Sequence, residues 1–393
     1  MEGVESAGYQ DATPVQQQVI PHIVSGKDII ASAQTGTGKT AAFLLPLIHN
    51  LLSKDHSSNS ITALVIVPTR ELAIQIAQHL EGFSYFTGIS SIAIYGGGDG
   101  NAFVQEKKAV SEGADIVICT PGKMMSHIKM GYVKLQGLKY LILDEADRML
   151  DMGFYDDIMF IIKHLPENRQ NLLFSATMPD NIRSLARKIL HQPIEVNIAI
   201  SKPPEKINQL AFSVYEPQKI PLVKILLKQN EFANVLIFCS SKQSVKQLNR
   251  TLQSASINSD EIHSDLEQSK REEVLSRFRS GNLGVLIATD ILSRGIDIDN
   301  IHLVINFDVP HDGEDYVHRI GRTARAKADG TAYTLISPKE QIAFRRIEKL
   351  LEKEVPKGTV PAELGESPAY TPISTNNKSG KKRFYNKNHS GRN

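Results

Sequence analysis

The chain has no tryptophan and only two cysteines among its 393 residues. Two cysteines make neither a disulfide framework nor a four-ligand zinc site of the usual kind. Cys119 and Cys239 both end apolar runs, where buried thiols belong. No apolar run approaches the roughly 20 residues that span a bilayer. No basic-then-apolar leader follows Met1. A membrane role is set aside, and a soluble, cytoplasmic monomer is expected. One-sided charge is also lacking, since 45 basic and 43 acidic residues leave +2. That balance is uneven along the chain. Lys378, Lys381, Lys382, Arg383, Lys387 and Arg392 crowd residues 376–393 with no acidic neighbour, leaving 39 basic and 43 acidic residues elsewhere.

What is present is ordinary globular material, 41% hydrophobic and 22% charged. The length suggests about two to three domains. The densest signal is Ala33-Gln34-Thr35-Gly36-Thr37-Gly38-Lys39-Thr40, between the apolar runs at 28–32 and 41–45. Strand, glycine-rich loop and helix in that order form a phosphate cradle. The glycines let successive N–H groups turn toward one anion, and the helix N-terminus adds positive potential. Lys39 can reach phosphate oxygens and the Thr40 hydroxyl can ligate Mg²⁺. Ala33 stands where the usual pattern opens with glycine.

Upstream, Gly8-Tyr9-Gln10-Asp11-Ala12-Thr13-Pro14-Val15-Gln16 reads as a turn and a helix start. The Gln16 amide can pair with an adenine edge, although a plain surface glutamine is the commoner reading of such a residue. Continuous apolar runs at 63–67, 91–95, 115–119, 140–143 and 172–174 read as parallel strands buried on both faces. Each ends in Gly, Pro, Thr, Ser, basic or acidic residues, at the sheet edge where open α/β folds bind ligands. Asp144-Glu145-Ala146-Asp147 closes one of these runs, placing a carboxylate where Mg²⁺ is held beside such a loop and Glu145 where it can take a proton from water. The pattern breaks from Ile194 to Ile207, and Ser201-Lys202-Pro203-Pro204-Glu205-Lys206 reads as a connector. A second αβ series follows, with strands at 235–239, 284–288 and 303–307. Arg319, Arg322 and Arg325 recur every third residue, so on a helical turn they share a face. They read equally as fingers on a triphosphate or as a basic face paired with acidic neighbours. Order is expected to thin after Pro356. Phe384 and Tyr385 within the basic run suit single-stranded nucleic acid, and a merely solubilising tail is nearly as good a reading.

Taken together and in order, these segments resemble the DEAD-box RNA helicases up to about Pro356. The family's letters stand at Asp144 to Asp147. Its other motifs match Gly8 to Gln16, Pro-Thr-Arg-Glu-Leu at 68–72, Thr-Pro-Gly at 120–122, Ser-Ala-Thr at 175–177, Arg-Gly-Ile-Asp at 294–297 and His-Arg-Ile-Gly-Arg at 318–322. Ala324 and residues 330–355 resemble the bacterial RhlE branch. The resemblance implies two tandem RecA-like α/β domains, each a mainly parallel sheet flanked by helices: 1–200 and 208–356, a linker at 201–207, and a disordered basic tail at 357–393. ATP and Mg²⁺ would lie between the domains and RNA across both. Gln16 would read adenine and Asp297 the ribose. Residues 33–40 would hold phosphate, and Thr40 and Asp144 the metal, largely through water. Glu145 would activate water, and Arg322 and Arg325 would reach the γ-phosphate on closure. Ser175, Thr177, Asp147 and His318 would couple hydrolysis to duplex opening. RNA would lie on Pro68, Thr69, Arg70, Gly97, Thr120, Gly122, Arg271 and Thr289. An RNA-stimulated ATPase that unwinds short duplexes is the leading expectation. Its rivals are an ATP-dependent RNA clamp and a DNA-translocating helicase. Ribosome-assembly and RNA-decay proteins are the expected partners. The family's aromatic upstream of the Gln16 motif has no counterpart here, Lys123 stands where arginine is commoner, and Ser264 replaces a usual glycine.

Overall fold

The computed structural model describes residues 2–33, 36–53, 60–97, 100–198, 207–229, 232–289, 301–310, 313–323 and 330–372. Among them, two wholly parallel sheets follow one another along the chain. The first contains β1 (Ile29–Ser32), β2 (Ala63–Ile66), β3 (Ser91–Ile94), β4 (Ile116–Cys119), β5 (Tyr140–Leu143), β6 (Gln170–Ser175) and β7 (Ile194–Asn197). Its spatial order is β3-β4-β2-β5-β6-β1-β7. The second contains β8 (Ile207–Ser213), β9 (Val235–Cys239), β10 (Ser259–Ile262), β11 (Val285–Thr289), β12 (Leu303–Asn306) and β13 (Gly330–Ile336), ordered β10-β11-β9-β12-β13-β8.

The continuous apolar runs at 63–67, 115–119, 140–143 and 172–174 have the cause expected of them, whereas the run at 91–95 is corrected, because β3 lies at the sheet edge and buries only Ile94. Successive strand residues face opposite sides, and helices cover both. Ala63, Val65 and Val67 join Phe43, Leu44 and Leu47 on one face. Leu64 and Ile66 join Met124, Met149 and Ile158 on the other. Both cysteines are buried free thiols, and burial pushes the Cys119 thiol up.

Two further expectations need correction. The break anticipated from Ile194 contains β7, which pairs with β1 from Ile29↔Ile194 to Ser32↔Asn197. β7 lies at the sheet edge, so only Val196 is buried and the apolar signal is weak. Disorder expected from residue 357 is not found over 357–372. Gly358 N–H donates to Ala211 (2.8 Å), the Tyr370 hydroxyl to Glu348 (2.7 Å) and the Gln341 amide to the Ala369 carbonyl (2.7 Å). A polar segment is held there by hydrogen bonds to buried side chains, which composition does not register. The basic stretch from residue 373 lies outside the described residues.

Candidate functional site

Parallel strands bring their C-terminal ends to one edge of a sheet, and the loops leaving that edge carry the candidate residues. The strand order divides them. Loops after β1, β5 and β6 are neighbours and carry residues 33–40, 144–147 and 175–177. Loops after β2, β4 and β3 carry Pro68 to Arg70, Thr120 to Gly122 and Gly97.

On the first side, Ala33 N–H donates to the Ser175 carbonyl (3.1 Å), tying the loop's start to β6. Gly36 and Gly38 take φ of 85° and 91°, where a side chain is strained. A Cβ at Gly38 would also lie 2.5 Å from Gln16 Nε2. Lys39 opens the helix Lys39–Ser53 and is buried, and its ammonium has no hydrogen-bond partner among the described residues. A buried unpaired cation beside open helix N–H groups is a site for an anion. Gln34 and Thr35 lie outside the described residues. Gln16 is buried under this loop. Its Oε1 accepts from Thr13 N–H (2.9 Å) and its Nε2 donates to the Gly38 carbonyl (3.2 Å), linking the Gln16 helix to the loop.

Asp144 is buried, and burial pushes its carboxyl up to about 6, with Lys39 pulling it down and Glu145 and Asp147 pushing it further up. A carboxylate so placed gains from a cation. Glu145 sits in the left-handed region at φ 52°, ψ 49°, as the N-cap of Ala146–Asp151. Such a backbone costs about 1–3 kcal/mol and persists where its surroundings hold it. Here it brings the Glu145 carboxylate within 3.5 Å of Arg148. Its Oε2 is buried and takes part in no hydrogen bond among the described residues. Asp147 N–H donates to Ser175 Oγ (3.3 Å), and the Asp147 carboxylate accepts from Thr177 N–H (3.1 Å). Three of the four coupling candidates thus form one bonded group.

On the other side, Thr69 caps its helix by accepting from Leu72 N–H (3.3 Å). Arg70 lies against Gly96 and Gly97. Gly97 takes φ 92°, where a side chain is strained, and a Cβ there would fall 2.3 Å from the Arg70 guanidinium. Thr120 caps Pro121–Lys129 without a side-chain bond, leaving the first N–H groups of that helix open.

On the second sheet, Thr289 ends β11, His318 lies buried on the helix Gly313–Ile320, and Arg322 is buried just beyond it. The shared face read from the three arginines is corrected, because the helix stops at Ile320 and Arg322 sits in the following turn. Arg319 points into its own sheet, donating to Asn306 Oδ1 (3.1 Å) and the Asp308 carbonyl (3.0 Å) over the Phe238 ring. Asp297 and Arg325 lie outside the described residues.

Among the described residues, a contact between helices beside the two sheets was not anticipated. Arg271 Nη1 donates to Glu71 Oε1 at 2.8 Å, with both side chains nearly buried, and the same guanidinium reaches the His263 carbonyl at 3.4 Å. Glu71 lies within the Pro-Thr-Arg-Glu-Leu motif, but nothing local ties it to a residue 200 positions away.

Comparison with known proteins agrees with this geometry. Residues 13–185 match the DEAD/DEAH box helicase model and 218–327 the helicase conserved C-terminal domain model. The chain is 42% identical over 356 residues to the ATP-dependent RNA helicase CshA of Listeria monocytogenes, covering 90% of this chain and 67% of that protein. Among solved structures, S. cerevisiae Dbp5 bound to RNA and ADP BeF3 aligns with a TM-score of 0.82 at 29% identity, covering 91% of this chain and 92% of that one. A DEAD box protein from the hyperthermophile Methanococcus jannaschii aligns with a TM-score of 0.51 at 37% identity, covering 91% and 96%. With two parallel sheets, a phosphate loop and an Asp-Glu-Ala-Asp turn all in family order, the chain belongs to the DEAD-box ATP-dependent RNA helicases.

Proposed function

We propose that the chain is an RNA-stimulated ATPase that opens short RNA duplexes locally, and not a long-lived clamp. What supports this reading is the division of the candidate catalytic residues between the two sheets. Lys39, Asp144 and Glu145 stand on one sheet and Arg322 on the other, with Arg271 and Glu71 bridging the two. The overall likeness to Dbp5 with RNA and ADP BeF3 supports the same joined arrangement.

In this reading Lys39 and the loop N–H groups bind the triphosphate, and Gln16 meets adenine. Glu145 accepts a proton from the attacking water. Arg322 offsets charge developing on the γ-phosphate, with Arg325 and Asp297 as further partners. Mg²⁺ would screen phosphate charge. Among the described residues no three His, Cys, Asp or Glu side chains converge on a metal, so Asp144 and Thr40 would hold it with water and phosphate oxygens. Release of phosphate would be felt by Asp147, Ser175 and Thr177, and through His318 by the second sheet. RNA would lie along Pro68, Thr69, Arg70, Gly97, Thr120, Gly122 and Thr289. Arg271 would act there through its pair with Glu71. RNA touching both sheets favours the joined form and thereby the reaction.

A duplex of one helical turn should therefore be separated with ATP much faster than one of three turns, since strand bending acts locally. Strand separation read by gel or fluorescence tests this. ATP-dependent RNA retention without separation or turnover would favour the clamp. Glu71→Gln should raise the RNA concentration for half-maximal hydrolysis about tenfold, because removing one member of a buried pair strands the other charge. An RNA titration of phosphate release checks that value. Neither ribosome assembly nor RNA decay is favoured by any residue described.

A further inference from the structure

Beside the phosphate-facing turn at Thr120 to Gly122 lies a charged cluster with no assigned role. Lys123, in the first turn of Pro121–Lys129, places its ammonium 2.8 Å from Glu106 Oε2 and 5.4 Å from the centre of the Phe103 ring. Glu106 is nearly buried, and the same oxygen faces His127 Nε2 at 3.2 Å. His127 is buried, stacks on Phe103 at 5.4 Å, and has Nδ1 2.6 Å from the Tyr132 hydroxyl. With Nε2–H donated to Glu106, Nδ1 accepts from Tyr132, which fixes the ring. Burial holds the imidazole below its ordinary range against the pull of Glu106, so near neutral pH it is an uncharged donor. Lys123 is the cation set against Glu106 in this cluster.

The helix Pro121–Lys129 thus presents open N–H groups to a phosphate, while the lysine beside them is already neutralised. An ammonium engaged by a carboxylate at 2.8 Å attracts a phosphate far less than a free one, because the phosphate also meets the carboxylate. We infer that Glu106 sets the RNA affinity of this helicase by holding Lys123 back from the RNA backbone, with His127 and Tyr132 locking Glu106 in that position. Glu106 is an affinity-determining positioning residue that acts through Lys123. A weakened contact at this turn favours release of RNA between cycles. The inference rests on the RNA path proposed above.

The test is the RNA titration of ATP hydrolysis by the full chain with a single-stranded oligonucleotide at several salt concentrations. Glu106→Gln should lower the half-saturating RNA concentration about three- to tenfold and steepen its salt dependence by about 0.7 in log–log slope, the value of one added phosphate contact. Turnover at saturating RNA should not change. Glu106→Asp, which keeps the charge, should behave as wild type. Adding Lys123→Ala to Glu106→Gln should abolish the gain. Unchanged or weaker RNA binding in Glu106→Gln would overturn the inference, as would an equal gain in Glu106→Asp or a gain that survives Lys123→Ala. If RNA fails to stimulate wild type, the failure lies with the RNA path. If wild type responds and Glu106→Gln responds alike, only the role of Glu106 fails.

Discussion

Glu145→Gln should reduce ATP turnover by about 10²–10⁴-fold, the range supplied by a positioned proton acceptor, while ATP and RNA still bind. Glutamine keeps the size and the left-handed N-cap position at φ 52°, but it cannot take the proton. Its neutral amide also removes a like charge that pushes the Asp144 carboxyl up, so Asp144 is more readily ionised. The variant should therefore hold RNA longer in the presence of ATP than wild type does. Single-turnover phosphate release and RNA dissociation rates measure the two effects. Retention of more than a tenth of wild-type turnover would remove Glu145 from the role of base.

Lys39→Ala should lower turnover about 10²–10³-fold, the size of losing one preorganised electrostatic contact. Lys39 contributes twice. Its buried ammonium has no hydrogen-bond partner among the described residues, and it lowers the Asp144 carboxyl toward its ionised form. Without it, Asp144 rises above about 6 and binds more protons near neutral pH, so it serves a cation less well. The residual activity of the variant should climb with pH across the neutral range, while wild type is flatter there. Steady-state rates against pH at saturating Mg²⁺ give the comparison. A flat profile in the variant would break the link between Lys39 and Asp144.

The phosphate loop and the Asp-Glu-Ala-Asp turn were legible because a parallel strand buried on both faces leaves an unbroken apolar run with its ligand residues at one end. The run at 63–67 is the plainest case, feeding two cores at once. Two of the edge strands left no such mark. β7 buries only Val196, and β10 is Ser-Asp-Glu-Ile with its two acidic side chains half-exposed. Backbone strain was not legible either, since nothing in the letters marks Glu145 as left-handed. The Arg271–Glu71 pair spans 200 positions, and only the closed fold brings its ends together. The Glu106, Lys123, His127 and Tyr132 cluster is shorter in range but needs two helices packed side by side. Spacing misled at the three arginines, because periodicity carries information only while the helix continues, and it ends at Ile320.

The central claim is that one catalytic site is divided between two domains and is complete only when RNA holds them together. The rate of ATP hydrolysis by the wild-type chain, with and without saturating single-stranded RNA, tests it most directly. If the joined form is a minor state of about 0.1–10% without RNA, stimulation should be about 10- to 1000-fold. Equal rates in the two conditions would contradict the divided site.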